Sequence, residues 1–310
     1  MLIERGVLST MLLATAAGGY SFFQLQQGRL ERQMLRANLH AYRAKLADAD
    51  VHYWAGGAGA GRPLLLIHGF GADALWGWAM QAELGRDRFL IAPDLLWFGR
   101  SFSTQAEYST EFQARVLVEL LDHLAIEEVD VVGISYGGFV ALELAHGWPD
   151  RVRRVVVVDS PGHTYTLDDY HDMLQRRDLD SVSELVVPDA PDGVRRLVQL
   201  AYYRPPPVPM FVARDLYANM FVLHKDEKVR LLDHLLARAA TVDPSAYRIP
   251  HRTMVLWGDH DDLFPPQLGH RLADSLGRQA HVELIRSARH APNLERAPAF
   301  NRKVRGFLAA

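Results

Sequence analysis

The chain has 310 residues, 49% of them apolar, and a formal net charge of −3. That supplies one large core, while the lack of any dense Lys or Arg run excludes a phosphate-binding stripe and with it nucleic acid as an expected partner. Cysteine is absent, which removes disulfides, thiol catalysis and Cys-ligated zinc together, and the 14 histidines include no His-Glu-x-x-His or equivalent metal spacing.

The first feature in chain order is an uncharged, weakly polar run from Val7 to Phe23. As a helix it would span about 25 Å, somewhat short of the roughly 20 residues that a hydrocarbon core requires. Residues 1–28 are accordingly read as an apolar N-terminal helix with three open roles. A membrane anchor or in-plane helix fits Arg29, Arg32, Arg36, Arg43 and Lys45, which follow within reach of anionic head groups and would hold the rest of the chain on the cytoplasmic side. A signal peptide fits Arg5 and the Ala14-Thr15-Ala16 tripeptide and would make the protein secreted or periplasmic, although Gly18 to Phe23 stays apolar beyond that site. A helix packed on the protein itself, or on a partner chain, is the third role.

Alternating strand and helix signals occupy most of the remaining chain. Strands are predicted at residues 51–54, 64–67, 89–92, 129–133, 155–159, 253–257 and 281–285, with helical stretches between them. The segment from Tyr108 to Leu124 places Phe112, Val116, Leu120 and Leu124 on one helical face. Such alternation implies an α/β fold with a mainly parallel sheet covered on both faces.

The strand at 129–133 runs directly into Gly133-Ile134-Ser135-Tyr136-Gly137, and an amphipathic helix begins at once. A serine on so tight a strand-to-helix turn sits at φ > 0 with its hydroxyl clear of the sheet, at a strain of roughly 1–3 kcal/mol. Gly133 and Gly137 remove the Cβ atoms that would collide there. Ser135 is therefore a candidate nucleophile, and the amide of Tyr136, in the first helical turn, is a candidate donor to an oxyanion.

Residues 160–250 interrupt the alternation. They are rich in large apolar side chains, among them Tyr165, Met173, Tyr202, Met210, Phe211 and Phe221. Most of these form the insertion's own core, and a minority face a cleft apolar enough for an acyl chain. The Pro205-Pro206-Pro207-Val208-Pro209 run reads as a stiff corner between helices.

Four segments resemble the α/β-hydrolase superfamily. Besides the Gly-x-Ser-x-Gly turn, the strand Leu64–Ile67 ends in His68-Gly69-Phe70, similar to that family's oxyanion loop. Met254–Asp262 resembles its Trp-Gly-x-x-Asp turn, and Ser287–Glu295 its histidine loop. The order Ser135, Asp261, His290 is the one that fold imposes on a triad. The resemblance implies that His290 is the general base, Asp261 its orienting acid, and Phe70 the second oxyanion donor beside Tyr136. It implies a core of residues 29–159 and 251–310, with the helical cap at 160–250. Asp159, closing the strand Val155–Val158, is the rival acid, because some relatives place theirs there.

One loop departs from the family pattern. Asp-x-Pro-Gly-x-Gly-x-Ser is replaced by Asp94-Leu95-Leu96-Trp97-Phe98-Gly99-Arg100-Ser101, so two aromatics either narrow the cleft or line it. The expected function is a serine carboxylic-ester hydrolase needing neither metal nor organic cofactor. Its expected substrate is a small-molecule or lipid ester, as for an esterase or monoacylglycerol-type lipase, with a membrane surface as a partner for the N-terminal helix. The alternatives are a carbon–carbon bond hydrolase using a similar triad and a non-catalytic binding protein of the same fold.

Overall fold

The structure is a computed structural model that describes residues 21–247 and 249–309. Among the described residues nine strands form one sheet: β1 (Leu39–Lys45), β2 (Ala49–Gly56), β3 (Gly61–Ile67), β4 (Arg88–Pro93), β5 (Phe102–Ser103), β6 (Val129–Ile134), β7 (Val152–Val158), β8 (Arg252–Gly258) and β9 (Ala280–Ile285). Their spatial order is β1-β2-β4-β3-β6-β7-β8-β9, with β5 paired to β2. From β4 to β9 every pairing is parallel, whereas β2 joins β1, β4 and β5 antiparallel. This is the mainly parallel sheet that the alternating pattern implies.

The helices, in chain order, are α1 (Phe22–Arg36), α2 (Ala74–Trp78), α3 (Thr110–His123), α4 (Tyr136–Gly147), α5 (Leu167–Arg177), α6 (Ser183–Val186), α7 (Pro191–Ala201), α8 (Met210–Leu216), α9 (Lys225–Ala239), α10 (Pro266–Leu276), α11 (Pro292–Glu295) and α12 (Ala297–Ala309). They cover both faces of the sheet. On one face α3, α4 and α10 bury Phe112, Val116, Leu120, Val140 and Leu272 against Val131, Val155 and Val157. On the other, α1, α2 and α12 bury Leu30, Met34, Trp78, Phe300 and Val304 against Leu64, Leu66, Val132 and Val156. Strands buried on both faces explain the runs Leu64–Ile67 and Val155–Val158, which are continuous rather than alternating. Burying one such side chain stabilises the fold by about 1.5–3 kcal/mol.

The ends of the parallel strands are aligned. Ile67 pairs with Gly133, Ile134 with Val158, Val158 with Leu256, and Gly258 with Ile285. The loops after β3, β6, β7, β8 and β9 therefore open on the same edge, where sheets of this kind bind ligands. Helices α5 to α9 lie in the chain between β7 and β8.

Most of the apolar run Val7–Phe23, with the anchor and signal readings placed on it, lies outside the described residues. Its last residues belong to α1, which continues unbroken across position 28 to Arg36 and is capped by the Ser21 hydroxyl. Phe22, Leu30 and Met34 of α1 are buried in the protein. Among the described residues no helix is long and apolar enough to cross a membrane.

Candidate active site

Ser135 stands between β6 and α4 at φ 54°, ψ −122°. Neighbouring glycines make that backbone attainable. A Cβ on Gly133 would lie 2.2 Å from the Gly137 carbonyl oxygen, and one on Gly137 would lie 2.3 Å from that of Ile67. The Ser135 carbonyl accepts from the amides of Gly138 at 2.9 Å and Phe139 at 3.4 Å, so α4 starts immediately after the turn. Its first amide, that of Tyr136, belongs to the end of a helix that leaves N–H groups without intrahelical partners.

His290 reaches Ser135 from the loop after β9. Its Nε2 lies 2.8 Å from Ser135 Oγ, and its Nδ1 lies 2.8 Å from Asp261 Oδ2. The other carboxyl oxygen of Asp261 accepts from the amides of Leu263 at 2.8 Å and Phe264 at 3.1 Å. Two amide donors and a ring N–H fix the plane in which the carboxylate meets His290. The Phe264 ring lies edge-on to the imidazole at a centroid distance of 5.5 Å.

The crowded acidic turn resolves into separate tasks. Asp259 Oδ1 lies 2.6 Å from His260 Nδ1 and accepts from the Ala288 amide at 3.3 Å. Asp262 pairs with Arg177 at 3.0 Å and Arg289 at 3.5 Å. Of the three, Asp261 alone is the partner of His290. Asp159 is fully buried behind it and accepts from the Gly258 amide at 2.8 Å. Burial, and then the charge of Asp261, push the Asp159 carboxyl well above the usual carboxylate range.

The loop after β3 closes the other side. A Cβ on Gly69 would lie 2.9 Å from the Cβ of Ser135, so only glycine allows this approach. His68 is fully buried; its Nε2 accepts from the Leu95 amide at 3.0 Å while its Nδ1 lies 2.9 Å from the Gly69 carbonyl. Burial lowers its pKa, so the ring is a neutral brace for the loop. Phe70 is held edge-on between Phe98, at 5.0 Å, and Tyr136, at 5.1 Å. Phe98 thus buttresses the oxyanion loop, and Trp97 packs on Tyr108 and His224.

Beside Ser135 and His290 opens a cavity of about 220 Å³. Helices α7 and α8 supply Val194, Leu197, Val212 and Leu216, the turn after α8 supplies Phe221, and α1 supplies Phe22 and Gln26. No Asp, Glu, Lys or Arg among the described residues lines it. The contribution of α1 has no signature in the sequence, where Phe22 reads as the end of the apolar run and Gln26 as a polar residue just beyond it.

A hydroxyl hydrogen-bonded to an imidazole, which is in turn held by a buried carboxylate, can deliver the hydroxyl oxygen to a carbonyl carbon. The family model described as alpha/beta hydrolase fold matches residues 62–297. The chain is 32% identical over 268 residues to 2-hydroxymuconate semialdehyde hydrolase of Pseudomonas sp. strain CF600, covering 81% of this chain and 88% of that one. It is 30% identical over 270 residues to Lipase 1 of Psychrobacter immobilis, covering 84% and 81%. The crystal structure of a membrane phospholipase A, a bacterial virulence factor, superposes with a TM-score of 0.78 at 22% identity, covering 99% of this chain and 98% of that one.

Proposed function

The chain is a hydrolase and belongs to the alpha/beta hydrolase fold family, and we propose that it cleaves carboxylic esters of fatty acids through an acyl-enzyme on Ser135. His290 Nε2 takes the hydroxyl proton as Ser135 Oγ attacks the ester carbonyl. The amides of Phe70 and Tyr136 receive the developing oxyanion, each donor worth about 3 kcal/mol. His290 returns its proton to the departing alcohol, and Asp261 stabilises the imidazolium in between. Water activated by the same imidazole then releases the acid.

The observation that carries this reading is the Ser135–His290–Asp261 line opening on an apolar cavity without a charged lining. Such a cavity suits an acyl chain and gives a carboxylate no counter-ion. The test is hydrolysis of p-nitrophenyl esters from acetyl to palmitoyl by wild type and Ser135→Ala in detergent. Turnover that falls about a thousandfold or more in the variant supports the triad, and the chain-length optimum separates an esterase from a lipase. An equally active variant would refute it.

The lipid surface belongs to the same proposal, on the strength of the apolar run and of Arg29, Arg32 and Arg36 in α1. High-speed sedimentation of membranes with full-length protein and with a deletion of residues 1–20, which leaves α1 intact, tests it. Full-length protein that stays in the supernatant excludes an anchor.

A second reading is a carbon–carbon bond hydrolase, the class of the Pseudomonas relative. One observation favours it: a smaller chamber of about 60 Å³ next to the cavity is lined by Trp97, Phe98, His224 and Lys228, with Asp73. The Lys228 ammonium is buried, and its pKa is pushed down to about 8. It could receive an acidic group. Turnover of 2-hydroxy-6-oxo-2,4-heptadienoate, assayed beside the esters, decides between the two.

A further inference from the structure

The loop that carries His290 is fastened to the end of α7, and the fastening converges on one side chain. Glu295, the last residue of α11 and only 9% exposed, turns its carboxylate toward the chain just beyond α7. Its Oε1 accepts from the Arg204 amide at 2.9 Å, and its Oε2 accepts from the Tyr203 amide at 2.8 Å and the Arg289 amide at 3.3 Å. A buried carboxylate is costly unless it is hydrogen-bonded, and here it binds three backbone amides from two distant segments. A glutamine could not replace it, since that side chain has one acceptor oxygen and would turn its NH2 group toward an N–H.

Two further bonds join the same segments. The Ala291 amide donates to the carbonyl of Ala201, the last residue of α7, at 3.0 Å, and Arg289 Nη1 donates to the Gln199 carbonyl at 2.9 Å. His290 stands between these two donors in the chain. Helix α7 also gives Val194, Leu197 and Leu200 to the wall of the cavity beside Ser135, and the histidine loop gives His290 and Leu294. Glu295 is not part of that wall, so whatever it does for the reaction it does through the residues it holds. The 2.8 Å between His290 Nε2 and Ser135 Oγ leaves little slack, because a shift of about 1 Å in a catalytic group costs up to about a hundredfold in rate.

We propose that Glu295 is a positioning residue: by clamping the Arg289 amide to the amides of Tyr203 and Arg204, it fixes His290 relative to α7, and the base meets Ser135 Oγ only while that helix is in place. The helix that lines the cavity then also holds the base in register. This rests on the reading of His290 as the base of Ser135.

Labelling of Ser135 in the full-length protein by a fluorophosphonate, followed by intact mass, tests the tether whichever bond the enzyme cleaves. Ser135 Oγ forms the new P–O bond, fluoride leaves, and the hydroxyl proton passes to His290, so the rate reads the alignment of base and nucleophile. Glu295→Gln is expected to label about tenfold more slowly, and to lower kcat for p-nitrophenyl butyrate by about the same factor while KM changes by less than about twofold. Glu295→Asp, which keeps the charge and shortens the reach, serves as the second variant should Glu295→Gln not fold, with an expected slowing of about threefold. Folded variants that label at the wild-type rate would overturn the proposal, even with a lowered melting temperature, since Glu295 would then serve stability alone. A loss confined to KM would overturn it as well. Wild-type protein that labels but hydrolyses no ester, with slower labelling in the variants, supports the tether and refutes the ester reading. Wild-type protein that does not label at all overturns both.

Discussion

The Asp159 carboxyl lies buried against that of Asp261, yet only Asp261 touches His290. Two carboxyls this close cannot both ionise at little cost, and it is Asp159 whose pKa is raised. Asp261 receives two backbone N–H groups and the imidazole. Asp159 receives one amide and is driven toward its neutral form.

Asp261→Ala should therefore lower kcat by about four orders of magnitude, as loss of the orienting acid does elsewhere. Asp159→Asn, which keeps a neutral hydrogen-bonding group in place, should retain most of the activity. Steady-state kinetics of the two variants on one ester checks this, and the opposite ranking would move the acid to β7.

Gly137 is where the elbow and the oxyanion loop meet. A methyl group there would lie 2.3 Å from the Ile67 carbonyl oxygen and 2.4 Å from that of His68. Gly137→Ala should cost about 1–3 kcal/mol and lower kcat more than it raises KM, because the backbone that must move carries the oxyanion donors. Gly147, at the end of α4, has nothing within 4 Å of such a methyl. Gly147→Ala should instead stabilise the protein by about 0.4–1 kcal/mol. Denaturant unfolding of both variants gives the contrast.

His163 gives the fold an acid-side weakness. Its ring stacks on Tyr247 at 4.3 Å, its Nε2 lies 3.2 Å from Ser275 Oγ, and burial lowers its pKa from 6.5 to about 4. The unfolded chain takes up this proton first, so the stability that His163 contributes is present above pH 6.5 and is lost as pH falls toward 4. The full effect is at most about 3 kcal/mol. His163→Phe keeps the stack and should flatten the fall in melting temperature between pH 7 and pH 4.5. An unchanged pH slope would show that the ring does not titrate in this window.

Asp215 of α8 latches the start of α1 by accepting from the Ser21 hydroxyl at 2.8 Å and the Phe23 amide at 2.7 Å. Asp215→Ala should weaken that junction by about 1–3 kcal/mol, free the amides near Phe23 for hydrogen exchange, and raise KM for long acyl chains, since Phe22 forms part of their wall. If exchange rises while KM stays constant, α1 does not shape the acyl site.

The elements that carried a clear signal are those whose cause is local. The strand before Ser135, the glycines around it and the helix after it are set by side-chain period and by turn chemistry within a few residues, and the order Ser135, Asp261, His290 followed from matching short motifs. Strand β1 carried no such signal because it is an edge strand whose central residues are exposed, leaving no apolar alternation to read. Trp97 and Phe98 were visible as aromatics, but only packing made Phe98 a brace for Phe70 and put both in the wall of the second chamber.

Composition, period and turn chemistry thus determined the fold class, the elbow and the candidate nucleophile, and the resemblance to the α/β-hydrolase superfamily added the candidates for base and acid, all of which depend on short stretches of chain. Tertiary structure decided which carboxylate meets His290 and which side chains of a helix some hundred residues earlier enter the cavity. Both depend on strand register and on distant segments packing together, and a buried polar atom such as Gln26 Oε1 looks no different along the chain from one in water.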